Sequence, residues 1–289
     1  MEQAFGYKDL QYATKNFSER LGGGSFGSVF KGVLTDSTVV AVKRLDGARQ
    51  GEKEFRAEVR SIGIIKHINL VRLIGFRCEG NKRLLVYEYM PNGSLDAHLF
   101  GSKVTSLGWS TRYKIALGVA RGLAYMHNNC QDCIIHCDIK PQNILLDASF
   151  VPKIADFGLS KFVGRDFSQV LTTVRGTIGY LAHEWIGGMT TSSKVDVYSY
   201  GTVLFEIIFG RKNFRGECTS DDTYFPVQVV VNSLRGMCNV FWTKTSTVKP
   251  IQMKLKEVAE LLAGVLEVDI PPMPKLLQAI SGDIDSTRT

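Results

Sequence analysis

Ile135-His136-Cys137-Asp138-Ile139-Lys140-Pro141-Gln142-Asn143-Ile144-Leu145-Leu146-Asp147 carries an acid, a lysine and an amide on one short run flanked by apolar residues. These groups are the equipment for phosphoryl transfer. Asp138 can accept the proton of an attacking hydroxyl, Lys140 can neutralise charge on the moving group, and the Asn143 amide oxygen can meet a Mg²⁺ ion. Taken alone, the run also reads as an ordinary strand-loop-strand with a surface acid. Its meaning depends on partners elsewhere in the chain.

The first partner lies upstream, in Leu21-Gly22-Gly23-Gly24-Ser25-Phe26-Gly27-Ser28-Val29. Glycines let backbone amides approach phosphate oxygens without interference from a Cβ. A dinucleotide-binding fold requires the last glycine of such a motif to open a helix. Here a β-rich run, Val29 to Leu34, follows, then a Thr35-Asp36-Ser37 turn and a second β-rich run from Thr38 to Lys43. The glycines are therefore expected in a hairpin. The next segment, Glu52 to Ile62, places Phe55, Val59 and Ile62 on one helical face with Glu58 beside it, while Glu52 and Glu54 read as solvated charges. Two further apolar runs, Leu70–Phe76 and Arg83–Met90, complete a five-stranded sheet, and Pro91-Asn92-Gly93-Ser94 breaks the chain before another helix.

Downstream, 109–128 has a helical period through Ile115, Val119, Leu123 and Met126, with Gly118 and Gly122 permitting close packing. His127, Cys130, Cys133 and His136 recur at a constant spacing that invites a zinc reading. Tetrahedral sites usually draw ligands from two separated turns, so that reading is set aside. Asp156-Phe157-Gly158 supplies a second carboxylate after the Asn143 loop, and 193–208 reads as a buried helix whose Asp196 needs hydrogen-bond donors.

Bulk properties fit a large two-lobed domain. The chain has 289 residues, a formal charge of +7 and no dense Lys/Arg block, so no nucleic-acid footprint is expected. Its six cysteines are unevenly spread, which points to a reducing compartment. The N-terminus lacks the regions of a signal peptide. The most apolar stretch, Val195 to Phe209, is interrupted by Asp196 and Glu206, and no transmembrane segment is expected.

In this order the motifs resemble the protein kinases, specifically plant receptor-like Ser/Thr kinases of the Pelle-like group, S-locus or G-type lectin type. Ala13-Thr14-Lys15-Asn16-Phe17-Ser18, Tyr87 to Leu95 and Cys133 to Pro141 carry the likeness. The resemblance implies an α+β, two-lobed fold, with a five-stranded antiparallel sheet and helix in the small lobe and a larger, mainly helical lobe. The expected boundaries are an N-terminal, juxtamembrane-like segment at 1–18, the small lobe at 19–90, the large lobe at 91–270 and a tail at 271–289. It implies ATP and Mg²⁺, with Mn²⁺ as a substitute. ATP would be lined by Leu21, Gly22, Gly24, Gly27, Val29, Ala41, Lys43, Tyr87 and the backbone of Glu88 and Met90. Lys43 would pair with Glu58 and set the phosphates, and Asn143 and Asp156 would hold the metal. His136 and Asp196 would be structural, Asp196 capping the catalytic loop. Ser168, Thr172 and Thr173 are candidate phosphosites in an activation segment ending at Thr177 and Glu184; Lys140 and Thr177 favour Ser/Thr substrates.

The implied function is that of a Ser/Thr protein kinase acting on protein substrates in receptor-type signalling. It would be cytoplasmic, or the cytosolic part of a plasma-membrane receptor, meeting receptor complexes at the inner face of the membrane. Two departures stand out. Cys137 replaces the usual Arg before the catalytic Asp, and a thiol cannot clamp a phosphorylated loop as guanidinium does. Between about 225 and 262 the large lobe looks shortened, His183 replaces Pro, and Lys249 stands where a bidentate Arg would pair with Glu184. The alternative function is a catalytically weak or inactive nucleotide-binding signalling module.

Overall fold

Three valines in the first four residues of Val39–Leu45 favour an extended chain, and the strand they form is central to the small lobe. The computed structural model describes residues 3–24, 27–45, 50–63, 65–80, 82–101, 107–163, 176–182 and 192–213. Strands β1 (Gln3–Ala4), β2 (Arg20–Gly24), β3 (Gly27–Val33), β4 (Val39–Leu45), β5 (Leu73–Glu79) and β6 (Lys82–Glu88) form one sheet in the order β1-β5-β6-β4-β3-β2. The expected five antiparallel strands are present. The short β1 adds a sixth, running parallel to β5 with Gln3 opposite Gly75 and Ala4 opposite Phe76.

Period-two alternation sorts β4 into two faces. Val40 and Val42 pack with Phe5, Leu10, Leu84 and Val86 on the outer face, so the N-terminal segment forms part of the sheet's cover. On the inner face Leu45, Leu85 and Tyr87 join the main core, and Lys43 lies opposite Leu85. Helix α1 (Tyr7–Ala13) stops at three consecutive left-handed residues, Lys15, Asn16 and Phe17, with φ of 48°, 58° and 59°. Left-handed backbone is unfavourable without glycine. Thr14 helps hold it, its hydroxyl donating to Leu10 O at 2.7 Å and accepting the Phe17 N–H at 3.1 Å.

Helix α2 (Gln50–Ile62) covers the inner face. The chain after it is tied to the large lobe, where Val71 N–H donates to Ile154 O and Ile154 N–H to Asn69 O, both at 2.9 Å. Helix α3 (Leu95–Phe100) follows, and helix α4 (Trp109–Asn128) passes beneath this junction. A Cβ at Gly118 would lie 2.4 Å from Pro152 Cγ, so the approach needs glycine there. Strands β7 (Cys133–Ile135), β8 (Ile144–Leu146), β9 (Pro152–Ile154) and β10 (Lys161–Val163) form two small ladders, β7 with β10 and β8 with β9. They frame 3-10 turns at Pro141–Asn143 and Phe157–Leu159. Among the described residues no helix is long and apolar enough to cross a membrane.

Helix α5 (Lys194–Phe209) ends at Gly210, whose φ of 63° is left-handed. It buries an acid near each end, Asp196 and Glu206, both at 0% exposure. The Glu206 carboxylate takes the Tyr180 hydroxyl at 2.8 and 2.9 Å and the Asn213 N–H at 2.8 Å. Burial, with Asp96 adding to it, outweighs those donors and Lys212 and pushes Glu206 up from 4.5 to about 7. A raised carboxyl favours the folded state fully below its unfolded value, and that contribution is lost as pH rises through about 7. Glu206→Gln should therefore be more stable than wild type at about pH 8, by up to a few kcal/mol, and equal to it near about pH 4. Thermal melts at the two pH values test this; the same difference at both would contradict it.

Candidate active site

Asp196 determines the shape of the loop that carries Asp138. Its buried carboxylate accepts the backbone N–H of His136 at 2.8 Å and of Cys137 at 2.9 Å, and the His127 ring nitrogen Nε2 at 2.8 Å. A carboxylate removed from water needs such donors. The bonds also steady Cys137 in left-handed backbone, φ 69°, a conformation that costs about 1 kcal/mol or more for a side chain with a Cβ. The His136 ring accepts the Asp138 N–H at Nδ1, 3.2 Å, and donates from Nε2 to Ala155 O at 3.0 Å. Its edge meets the fully buried Phe157 ring at 5.0 Å. Both histidines of the zinc reading thus have partners within this frame, and the described residues contain no grouping of three or more His, Cys, Asp or Glu able to hold a metal. The role of His127 was not foreseen; the signal was its place in the last turn of α4, just before the loop.

Cys137 is buried and packs with Ile135, Leu159, Val163, Ala182 and Val195. Its thiol lies 3.6 Å from Ile135 O. Burial, with Asp196 next, pushes the thiol well above its usual range. An apolar cluster holding a neutral thiol therefore occupies the position where the resemblance would put a guanidinium.

Three donors converge on Asp138. Oδ2 accepts Lys140 Nζ at 2.7 Å and Asn143 Nδ2 at 3.0 Å, and Oδ1 accepts the Thr177 hydroxyl at 2.7 Å. Lys140 also donates to Thr177 Oγ1 at 2.8 Å. Asn143 Nδ2 further donates to Asp138 O at 2.9 Å, so the amide oxygen is the end of that side chain able to meet a cation. The Ala155 N–H donates to Asn143 O at 2.8 Å, which brings the backbone just before Asp156 beside Asn143. An amide and a carboxylate oxygen are hard donors that suit Mg²⁺ or Mn²⁺, which complete their shells with phosphate and water.

On the small-lobe side Lys43 meets two acids, Glu58 directly and Asp156 at 2.6 Å. Tyr87, expected only beside the base, donates its hydroxyl to Glu58. Burial opposes charge on Lys43, but Asp156 and Glu58 outweigh it and raise the ammonium above its usual value. Burial likewise works to raise Asp156, yet Lys43 overrides it and holds that carboxyl at about 2. Glu58 is fully buried, and burial pushes it up against the pull of Lys43. Glu54, read as solvated, is buried at 1% exposure. Being one turn from Glu58, it shares the face that α2 turns toward the Asp156-Phe157-Gly158 turn, and a Cβ at Gly158 would sit 3.4 Å from Glu54 Cγ.

The glycines lie in the β2–β3 hairpin, with Gly22 opposite Val29 and Gly24 opposite Gly27. Gly27 is required, since its φ is 145° and a Cβ would lie 2.1 Å from Arg44 O, whereas a Cβ at Gly22 would meet nothing within 4 Å. Leu21 is exposed, and Ala41 lies opposite Tyr87 in the β4–β6 ladder. At the base edge, the Glu88 N–H donates to Arg72 O at 3.1 Å and Met90 O accepts from Gly93 N–H at 3.1 Å. The expectation there narrows to the Glu88 carbonyl and the Met90 N–H. Ser168, Thr172, Thr173, His183, Glu184, Lys249 and the 225–262 stretch lie outside the described residues.

The protein kinase domain profile matches residues 16–278. A G-type lectin S-receptor-like serine/threonine-protein kinase of Arabidopsis thaliana is 53% identical over 303 residues, which covers 96% of this chain and 37% of the relative. A second from that plant, SD2-2, is 49% identical over 97% of this chain and 39% of its own length. From Oryza sativa subsp. indica, LECRK4 of the same description is 51% identical over 76% and 28%. The chain thus spans less than two fifths of the length of these relatives.

Proposed function

The chain belongs to the protein kinase domain family, and from that membership we propose that it moves the γ-phosphoryl group of ATP onto Ser and Thr hydroxyls of proteins, as the cytosolic catalytic part of a receptor-type kinase. The observation that carries this reading is the contact of the Thr177 hydroxyl with Asp138 Oδ1 at 2.7 Å, beside Lys140. A carboxylate that already accepts an aliphatic hydroxyl is placed to take the proton of an incoming one. Lys140 neutralises charge as the proton moves, and Lys43, steadied by Glu58 and Tyr87, faces the phosphates. Asn143 and Asp156 would hold the metal. Bound Mg²⁺, or Mn²⁺ in its place, supplies positive charge against the phosphate oxygens. Leu21, the hairpin glycines, Val29, Ala41, Tyr87, Glu88 and Met90 would enclose the nucleotide.

The catalytic unit would run as a small lobe at 19–90 and a large lobe at 91–270. Its partners would be protein substrates and receptor complexes at the inner face of the plasma membrane, as the receptor-like names of the relatives suggest. Incubating the purified chain with labelled ATP, Mg²⁺ and a generic protein substrate tests the reading. Label on phosphoserine and phosphothreonine is expected; label confined to phosphotyrosine, or no label, would refute it.

The apolar surroundings of Cys137 bear on regulation. With a thiol there in place of a guanidinium, and the Lys161 ammonium as the cation that acts on it among the described residues, a phosphate would find no bidentate clamp, and replacing both Thr172 and Thr173 by Ala should change kcat by less than about threefold, about 0.7 kcal/mol. A loss of about a hundredfold would show that the loop depends on phosphate after all.

A further inference from the structure

Ser61 and Ser160 are buried, at 0% and 6% exposure, and their hydroxyls meet between α2 and the chain leaving the Phe157–Leu159 turn. Each also reaches a carbonyl of its own segment: Ser61 contacts Ala57 O and Ser160 contacts Phe157 O, both at 2.7 Å. A hydroxyl has one proton to donate. The two protons cannot serve all three contacts at once. If each hydroxyl held its own carbonyl, two oxygens would touch with no proton between them, which is unfavourable; so either Ser160 donates to Ser61 while Ser61 holds Ala57, or Ser61 donates to Ser160 while Ser160 holds Phe157. In both arrangements one hydrogen bond crosses from α2 to the turn that starts at Asp156.

The crossing lies on the same seam as the Lys43 pairs. Ser61 stands just beyond Glu58 on α2, and Ser160 just beyond Asp156 on the facing chain. Between the two crossings Gly158 lies against α2, a Cβ there being 3.2 Å from Glu58 Oε1. Beyond them the Arg60 guanidinium sits 4.3 Å from the centre of the Phe162 ring. We propose that Ser61 and Ser160 are positioning residues, a buried latch holding α2 and the Asp156 turn in the register where Lys43 meets both Glu58 and Asp156. The latch makes the alignment of the phosphate-facing groups depend on where the chain from Ser160 to Phe162 lies. It rests on the kinase reading above, because its main readout is phosphoryl transfer.

Ser61→Ala, Ser160→Ala and the double variant, each in the full chain, are compared with wild type for kcat, for KM of protein substrate and Mg-ATP, and for Tm. Losing one buried hydrogen bond from the aligned state should lower kcat about tenfold in each single variant. KM for the protein substrate should stay unchanged. The double variant should be no worse than the worse single, since the same crossing bond is lost. Hydrogen exchange at the Phe157, Gly158 and Leu159 amides should speed up to the same extent in all three. Unchanged kcat with unchanged exchange, or losses that multiply to about a hundredfold in the double variant, would overturn the latch. So would a fall in Tm with kcat untouched, which is what a merely structural pair would give. A wild type that transfers no phosphate would refute the kinase reading alone. Exchange would then decide the latch, matched acceleration supporting it and no acceleration overturning it.

Discussion

Asp138→Asn should lower kcat about a thousandfold or more while leaving nucleotide affinity near that of wild type. The substitution keeps the side chain's size, so Tm should move little. What it removes is the negative charge on which Lys140, Asn143 and Thr177 converge. An amide cannot take the proton of a substrate hydroxyl, and its NH₂ group would either face the Lys140 and Asn143 donors or have to reverse the bond with the Thr177 hydroxyl. Lys140 would then have lost its counter-charge as well. Rates from wild type and variant at saturating ATP, with nucleotide Kd measured on both, check the expectation. A variant retaining a tenth or more of the wild-type kcat would mean that proton acceptance lies elsewhere.

Lys43→Met should have a large effect on both stability and rate. Glu58 is fully buried, Asp156 is half-buried, and Lys43 is the cation between them. Removing one partner of a buried pair leaves an uncompensated charge, at a cost of about 3–5 kcal/mol. Burial, the largest influence on Asp156, would then act without its main opponent, and that carboxyl would rise from about 2. In wild type the lowered Asp156 lends stability that is full above the usual carboxylate value and is lost as pH falls toward about 2. The variant should lose that contribution and unfold at a higher pH on acidification. Adding Glu58→Gln should restore part of the Tm, since it removes the stranded charge, yet restore no activity, since the ammonium that faces the phosphates is still missing. Melting curves and kcat for the single and double variants decide; recovery of kcat in the double variant would contradict the assigned role.

Much of this arrangement is readable in the sequence. The glycines could be assigned to a hairpin because β-rich residues, rather than a helical period, follow Gly27, and the structure has β3 and β4 there. The helix at Trp109–Asn128 follows from its period alone. The need of a buried Asp196 for donors was plain from an acid at the head of an apolar helix, and the loop's backbone N–H groups supply them.

Other features were hidden for physical reasons. Glu54 is an acid on a polar-looking helix, and only the tertiary approach of the Asp156 turn covers it. The Tyr87 hydroxyl reaches Glu58 across a gap that strand order creates and sequence spacing does not show. Tyr180, Glu206 and Asn213 are three ordinary residues until the fold folds one carboxylate between them. The β1 strand is two residues long, too short for alternation to reveal.

We propose that Asp138, Lys43 and Asp156 act together as one phosphoryl-transfer site. It is tested most directly by a single-turnover measurement, with wild type and Asp138→Asn each in excess over labelled Mg-ATP and protein substrate present. The expected result is a burst of phosphoserine and phosphothreonine from wild type and none on that timescale from the variant, with both binding the nucleotide equally. A folded wild type that binds Mg-ATP and transfers no phosphate would contradict it.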